Sequence, residues 1–300
     1  MGWKAHRLTF HALSPLHIGW RVLGNVQFTR TYVPARTLWG ALTARLTRRS
    51  PRPTAQDYMR IGNDVAQRVV FTYAFPLDGD TVLYPVYQPG SIAYGSIRMS
   101  REEFEWRFVG SYASTALNYP EGSALEGSLH EVEHLNPWLR SRNDSPSVQL
   151  MLQGYVFVNE TCLDEWWSSA KDALAEHRLG GEGRYGFGRV RGMVDEVAPD
   201  ELLFGQYVYD LRAHRPRVHV PQGSPVLAHT LIGDGWTADS GEVEPLVGRN
   251  WNDQLGGAGR GLVTLAAACL APGSTLKDPH WVEIGADGVW RPADTSEQTV

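Results

Sequence analysis

The stretch Gly180-Gly181-Glu182-Gly183-Arg184-Tyr185-Gly186-Phe187-Gly188-Arg189 interleaves glycines with arginines and aromatic residues. Within it, Gly181-x-Gly183-x-x-Gly186 has the spacing of a dinucleotide-binding turn, but that turn requires a strand before it and a helix after it. Here the order is reversed. Asp164 to Leu179 (DEWWSSAKDALAEHRL) carries helix formers, acids in its first turn and His177 and Arg178 in its last, with Gly180 placed as the C-cap. Arg189 to Val197 then reads as a strand. A helix, a glycine loop and a strand would offer free N–H groups and guanidinium forks to a phosphodiester backbone, without the helix N-terminus that nucleotide enzymes use. The expectation is a nucleic-acid cradle. Gly180, Gly181, Gly183, Gly186 and Gly188 would permit close approach, Arg184 and Arg189 would bind phosphate, and Tyr185 would stack or pack. Phe187 is expected in the core, and a purely structural connection is the alternative reading of the loop.

Upstream, residues 6–18 (HRLTFHALSPLHI) alternate as a strand with Leu8, Phe10 and Ala12 on one face, and Pro15 ends its regular part. A glycine-bounded loop follows, and Tyr32-Val33-Pro34-Ala35-Arg36 leads into a helix over Thr37 to Arg49, with an apolar stripe beside a basic face. Strands are expected at 68–75 and 81–87, joined by Asp78-Gly79-Asp80, and at 148–158 either one strand or a bent pair with Gly154 at the bend. Residues 90–147, rich in Ser, Gly, Tyr and Asn, read as an irregular insertion with short strands.

The order strand, helix, two strands, insertion, strand, helix, glycine loop, strand is an α+β, ferredoxin-like βαββαβ plan over residues 1–198, the frame that RNA-recognition domains share. From about residue 199 to 300 helical periodicity disappears. Strand-like segments at Pro216 to Val220, Val226 to Ile232 and Leu262 to Leu270 suggest a smaller β-rich region, either a degenerate second unit or an elaboration of the first. The last ten residues have the composition of a disordered tail.

The net charge of −5 is unevenly distributed. Residues 1–70 carry eleven Lys or Arg against only Asp57 and Asp64, a local balance of +9, which leaves −14 on the rest. Lysine occurs only at positions 4, 171 and 277, so the positive charge is mostly arginine, whose planar fork suits phosphate. Two distant cysteines, Cys162 and Cys269, fit a reducing compartment and no disulfide framework or zinc site. The amino terminus lacks a signal-peptide core, and no stretch reaches the roughly 18 apolar residues of a membrane span. The expectation from these features is a cytoplasmic protein without a membrane partner.

Leu13-Ser14-Pro15-Leu16-His17-Ile18-Gly19, followed by Tyr32-Val33-Pro34-Ala35-Arg36-Thr37-Leu38-Trp39-Gly40-Ala41-Leu42, resembles the amino-terminal signature of the RAMP superfamily of CRISPR-associated proteins. The glycine loop resembles that family's late glycine-rich loop. Between them, Gly127-Ser128-Leu129-His130-Glu131-Val132-Glu133 resembles a strand found in several members. The resemblance implies a ferredoxin-like fold, CRISPR RNA (crRNA) and other effector subunits as partners, and a place in antiviral defence. Processing nucleases of the family carry the glycine loop near the carboxyl end, whereas over a hundred residues follow it here. Slicing backbone subunits carry an aspartate after the first strand, where this chain has Asn25 and no acid before Asp57. The length and mid-chain loop resemble most the subunit that caps the crRNA 5′ handle in type III complexes.

Further candidates lie near these motifs. Arg36 and Arg45, with Arg48 and Arg49, would line an RNA groove or form a solvated face, and Gly19, Trp20 and Arg21 would support a base or sugar. Metal-independent RNA cleavage needs a base and an acid, for which His11 or His17 are the alternatives, although His17 belongs to the family turn. His130 and His134 lie on one face of a strand and Glu131 and Glu133 on the other, so they do not converge on a metal. His214, Arg215, Arg217 and His219 form a basic patch without an assigned role. No motif calls for a metal or small-molecule cofactor. The sequence reads as a non-catalytic RNA-binding subunit, with a metal-independent endoribonuclease, a backbone subunit or an assembly bridge as alternatives.

Overall fold

The protein, as a computed structural model, is described over residues 2–119, 121–142, 147–198, 200–232, 236–249 and 263–293. The first strand, β1 (Trp3–Ala12), buries Leu8, Phe10 and Ala12 and leaves Arg7, Thr9 and His11 on its other, half-exposed face. A hairpin follows, β2 (Gly19–Leu23) and β3 (Val26–Thr29), where the sequence suggested only a loop. Helix α1 (Ala35–Thr47) starts after Pro34, whose extended backbone ends the preceding segment, and it buries Leu38 and Leu42. A second helix, α2 (Ala55–Arg68), has no counterpart in the sequence reading. Its start is set by a capping box in which the Thr54 hydroxyl accepts from the Asp57 N–H and Asp57 accepts in return.

The chain then forms β4 (Val69–Phe71) and β5 (Phe75–Asp78), and enters the long insertion. The insertion is not wholly irregular. It holds helix α3 (Arg101–Phe108), capped by Ser100, and a ribbon whose base is β6 (Val109–Ser114) paired with β7 (His130–Leu135). Strand β8 (Met151–Asn159) runs straight through Gly154, which pairs with Leu8. A Cβ there would lie 2.8 Å from the Tyr73 carbonyl oxygen, so the glycine serves close packing and not a bend. Helix α4 (Glu165–Ala175), capped by Asp164, stops four residues before the expected end. The reason is local: β9 (Glu176–Arg178) pairs with β10 (Arg189–Glu196), and the buried His177 ring lies within 2.9 Å of the Leu174 carbonyl oxygen. Gly180 therefore follows a strand and is not the helix C-cap.

The main sheet has the order β9, β10, β1, β8, β5 and then a short edge strand, Thr81–Val82, with β4 also on β8 and every pairing antiparallel. Setting aside the short edge strands and taking β4 and β5 as one interrupted strand, the order β10, β1, β8, β4/β5 is fourth, first, third, second: the ferredoxin-like arrangement, an α+β fold with insertions. His6 on β1 meets Trp167 of α4, and Phe10 meets His177, so the helices cover the face opposite Arg7 and His11.

Beyond residue 200 the described structure is β-rich. Strands at Arg217–Val220, Thr230–Leu231, Val243–Arg249, Val263–Leu270, His280–Ile284 and Trp290–Pro292 join a short strand, Tyr209–Asp210, in a separate sheet. Its apolar residues join those of the main sheet in one core cluster. A polar network bridges the two sheets. Tyr73 lies 2.7 Å from His229 Nδ1, His229 Nε2 lies 3.2 Å from Glu244, and Glu244 pairs with Arg30 at the base of the β2–β3 hairpin. Burial lowers the His229 pKa and raises that of Tyr73, so Tyr73 donates to Nδ1 and the Nε2–H donates to Glu244. The basic patch expected near residue 215 is not a free surface: Arg217 is buried and His219 packs on Trp281. Of the expected tail, residues 291–292 belong to a strand and residues 294–300 lie outside the described residues.

Candidate nucleic-acid interface

The two motifs that the sequence singled out, residues 13–19 and 180–189, are stitched together. The N–H of Gly181 donates to the His17 carbonyl at 2.8 Å, that of Gly188 to Pro15 at 2.8 Å, and that of Leu13 to Arg189 at 2.8 Å. Arg189 N–H donates in turn to the Ser14 hydroxyl at 2.9 Å. Two glycines make this approach possible. Gly180 has φ +79°, and a Cβ on it would sit 2.2 Å from the His17 carbonyl oxygen; Gly188 has φ +88°, and its Cβ would sit 2.4 Å from that of Leu179. Glu182 also adopts φ 53°, uncommon for a residue with a side chain.

This stitching narrows one expectation. The N–H groups of Gly181, Tyr185, Gly186, Phe187 and Gly188 all bond to carbonyl oxygens of the protein. These five donors therefore hold the shape of the loop, which presents its side chains from a fixed backbone. Phe187 is buried against His134 and Tyr112, as its expected core role requires. Tyr185 is 65% exposed.

Between this platform and α1 lies an open groove of about 1050 Å³. Arg45 and Arg48 line it from the helix, Arg178 from β9, and Arg184 and Arg189 from the loop. Among the described residues that line it, Glu176 is the one acid, and it lies within 3.9 Å of Arg191. The groove exists because α1 crosses the sheet beside β9, and because small residues (Gly19, Gly40, Ala41, Ala44) keep its walls low. Arg178 donates to the Gly183 carbonyl at 2.5 Å, tying the groove wall to the loop. Five guanidinium groups around one open channel suit a phosphodiester backbone.

The other candidates fall at varying distances from this channel. Gly19 lines it, whereas Trp20 and Arg21 project from the β2–β3 hairpin, the Arg21 guanidinium 4.1 Å from the Trp20 ring. Arg36 lies over Trp39, at 5.6 Å, and is not among the groove residues. Arg49 turns to Ser169 of α4. His17 is buried, its Nδ1 2.7 Å from the Glu133 carbonyl oxygen and its ring under Gly181. His11 sits on the sheet face opposite the helices, so the structure does not bring the two histidines together at the groove. His130 engages Ser114, Glu133 accepts from the Thr29 N–H, and His134 packs on Phe187; the strand parts them as its alternation demands. Sequence reasoning missed Arg178, because it was placed at a helix end. The signal was the Arg-Leu-Gly step into the loop, equally compatible with a short strand.

Beneath the groove His177 is held neutral: burial pushes its pKa down to about 4, partly offset by its bond to the Leu174 carbonyl. Its Nδ1–H is therefore the donor in that contact.

The sequence model of the RAMP superfamily matches residues 9–191, the span from β1 to β10 that holds both stitched motifs. No curated protein sequence matches the chain. Among solved structures, a chain of a type III-B Cmr-beta complex bound to cognate target RNA and AMPPnP is similar, with a TM-score of 0.55 and 12% identity. The match covers 90% of this chain and 86% of that one. A chain of the same kind of complex bound to cognate target RNA matches with a TM-score of 0.50, 12% identity and the same coverage. At this identity the likeness is one of fold.

Proposed function

The chain belongs to the RAMP superfamily, and from that membership we propose that it is an RNA-binding subunit of a type III CRISPR effector ribonucleoprotein. In this reading it holds the guide RNA near its 5′ handle, without itself doing chemistry, and contacts neighbouring subunits in cytoplasmic antiviral defence. One observation carries the reading: the groove in which Arg45, Arg48, Arg178, Arg184 and Arg189 face one another across a loop locked to the first strand.

The mechanism is electrostatic and shape-based. An RNA backbone laid in the channel would exchange condensed counterions for guanidinium contacts, which makes affinity steeply salt-dependent. The stitched loop fixes the backbone from which Arg184 and Arg189 leave, so the ordering cost on binding is confined to their side chains. Tyr185 on the loop, and Trp20 and Arg21 on the adjoining hairpin, are exposed planar groups on which splayed bases can stack. The buried position of His17, bonded to Glu133, supports a structural role for it over catalysis.

The test is to purify the tagged protein with the products of its neighbouring genes and sequence any RNA that survives a high-salt wash. The expected result is CRISPR-repeat RNA with a defined 5′ end, accompanied by other subunits. Recovery of an intact complex without RNA would overturn the proposal.

A further inference from the structure

The β2–β3 hairpin leaves the groove wall at Gly19 and is irregular at one point. Gly19 pairs with Thr29 and Val22 with Gln27, so two residues of β2, Trp20 and Arg21, stand opposite the single Phe28 of β3. This is a β-bulge, and it re-aims a side chain. In a regular strand successive residues point to opposite faces, and Arg21 would leave on the face of Gln27. The extra residue turns it to the other face instead. The Arg21 guanidinium lies 4.1 Å from the centre of the Trp20 ring and 5.3 Å from that of Phe28.

Ring contacts of this kind hold a guanidinium by its face, so the fork of N–H donors in its plane stays available. No acid takes it up. Among the described residues Arg21 forms no ion pair or hydrogen bond, whereas Arg30, at the base of the same hairpin, is engaged by Glu244 and Tyr32. Glu133 on the adjoining β7 accepts from the Thr29 N–H at 3.2 Å; burial raises its pKa, and the Thr29 bond and the Arg21 charge offset this in part. Trp20 and Arg21 are exposed, as is Leu23 on the same face of the hairpin.

The surroundings decide what such a fork meets. The five arginines of the groove line an open channel, which suits the charged backbone of a nucleic acid. Arg21 stands two residues beyond Gly19, roughly 7 Å along the strand, and the side chains that share its face, Trp20, Phe28, Val26 and Leu23, carry no charge. A phosphate gains nothing from apolar neighbours, whereas the plane of a base does. A parallel pair of donors then selects among bases. Guanine offers two adjacent acceptors, O6 and N7, whereas adenine sets a donor beside its N7. We infer that Arg21, turned by the bulge and held against Trp20 and Phe28, reads a guanine base of the bound RNA through N–H bonds to O6 and N7. The inference rests on the proposed RNA-binding function and adds base specificity to it at a point beside the groove.

The test measures binding of the full chain to a short single-stranded oligouridine and to the same oligomer with one central guanosine, cytidine or 7-deazaguanosine. Guanosine should tighten binding at least about fivefold over uridine, the lower end expected of a bidentate pair. The 7-deaza analogue, which keeps O6 and lacks the N7 acceptor, should lose most of that gain. In Arg21→Lys, which keeps a charge but not the fork, all the oligomers should bind alike. A preference that cytidine shares, that the 7-deaza analogue preserves or that survives in Arg21→Lys would overturn the inference. So would an Arg21→Ala variant that weakens every oligomer equally and shows a shallower salt slope, the mark of a phosphate contact. Oligouridine that binds while guanosine adds nothing would strike this inference alone; failure of every oligomer to bind would strike the groove reading as well.

Discussion

The Cβ that Gly180 lacks would lie 2.2 Å from the carbonyl oxygen of His17, so the late glycine loop and the turn after the first strand touch as backbone against backbone. Two motifs more than 160 residues apart in sequence are thereby one structural unit, and the groove takes its shape from their contact.

Gly180→Ala should be costly. It places a side chain at φ +79° and drives a methyl group into a backbone oxygen that cannot move aside cheaply. A loss on the order of 2–4 kcal/mol is expected from backbone strain plus overpacking, measured by urea unfolding. Gly183→Ala is the control, since its Cβ would meet only the end of the Arg178 side chain at 3.6 Å, and should change stability by less than about 0.5 kcal/mol.

Removing helix charges should affect RNA binding selectively. Arg45→Ala/Arg48→Ala deletes two groups that line the groove, and should flatten the salt dependence of single-stranded RNA binding by about 0.7 per arginine lost. Arg49→Ala removes a side chain engaged with Ser169 outside the groove, and should leave the slope unchanged. Equal effects of the two variants would count against the groove as the binding site.

Stability should fall on the acid side in two stages. Burial lowers the pKa of His6 and of His177 to about 4, so between pH 6.5 and 4 the unfolded chain takes up protons that the folded chain refuses. Stability is complete above pH 6.5 and declines as pH drops, by up to about 1.4 kcal/mol per pH unit for each histidine. Below this, Glu244 comes into play. Burial opposes its ionisation, but the bonds from His229 and Arg30 win and hold its pKa at about 2, so its contribution, present above pH 4.5, is lost as pH falls towards 2. Replacing His177 by Gln should remove about half of the upper stage, leaving the share of His6, and should not alter the lower one, as read from unfolding midpoints across pH.

Glu244→Gln tests the junction between the sheets. Arg30 and Glu244 are both largely buried, so neutralising the acid leaves a guanidinium without its counter-charge. The expected cost is about 3–5 kcal/mol. The exposed Arg101–Glu105 pair, cut by Glu105→Gln, should cost no more than about 0.5 kcal/mol. Similar values for the two would mean that the network does not hold the sheets together.

Much of the ferredoxin-like frame was legible because its elements advertise themselves locally. The alternation of Leu8, Phe10 and Ala12 marked β1, the apolar stripe of Leu38 and Leu42 marked α1, and the turn at Gly79 joined two paired strands. Helix α2 was hidden by its polar composition; Thr54 and Asp57 held its signal in a capping box. The end of α4 was misplaced because Glu176, His177 and Arg178 suit a helix terminus as well as a strand. What decided between them was pairing with Arg189 to Arg191, a tertiary contact that no local pattern contains. The groove itself was half visible: its arginines were named, but their meeting across α1 and the loop depends on strand order. The cradle of N–H groups is narrower than the glycine count suggests, because five of those donors bond to carbonyl groups of the loop and of the turn after β1, contacts that no local pattern contains.

The most direct measurement of the central claim is the salt dependence of RNA binding by the Arg184→Ala/Arg189→Ala variant beside the wild type. Both side chains leave from the rigid loop into the groove, so the variant should remain folded, bind more weakly and show a slope shallower by about 1.4. Unchanged affinity and slope in a folded variant would remove the glycine loop from the RNA site.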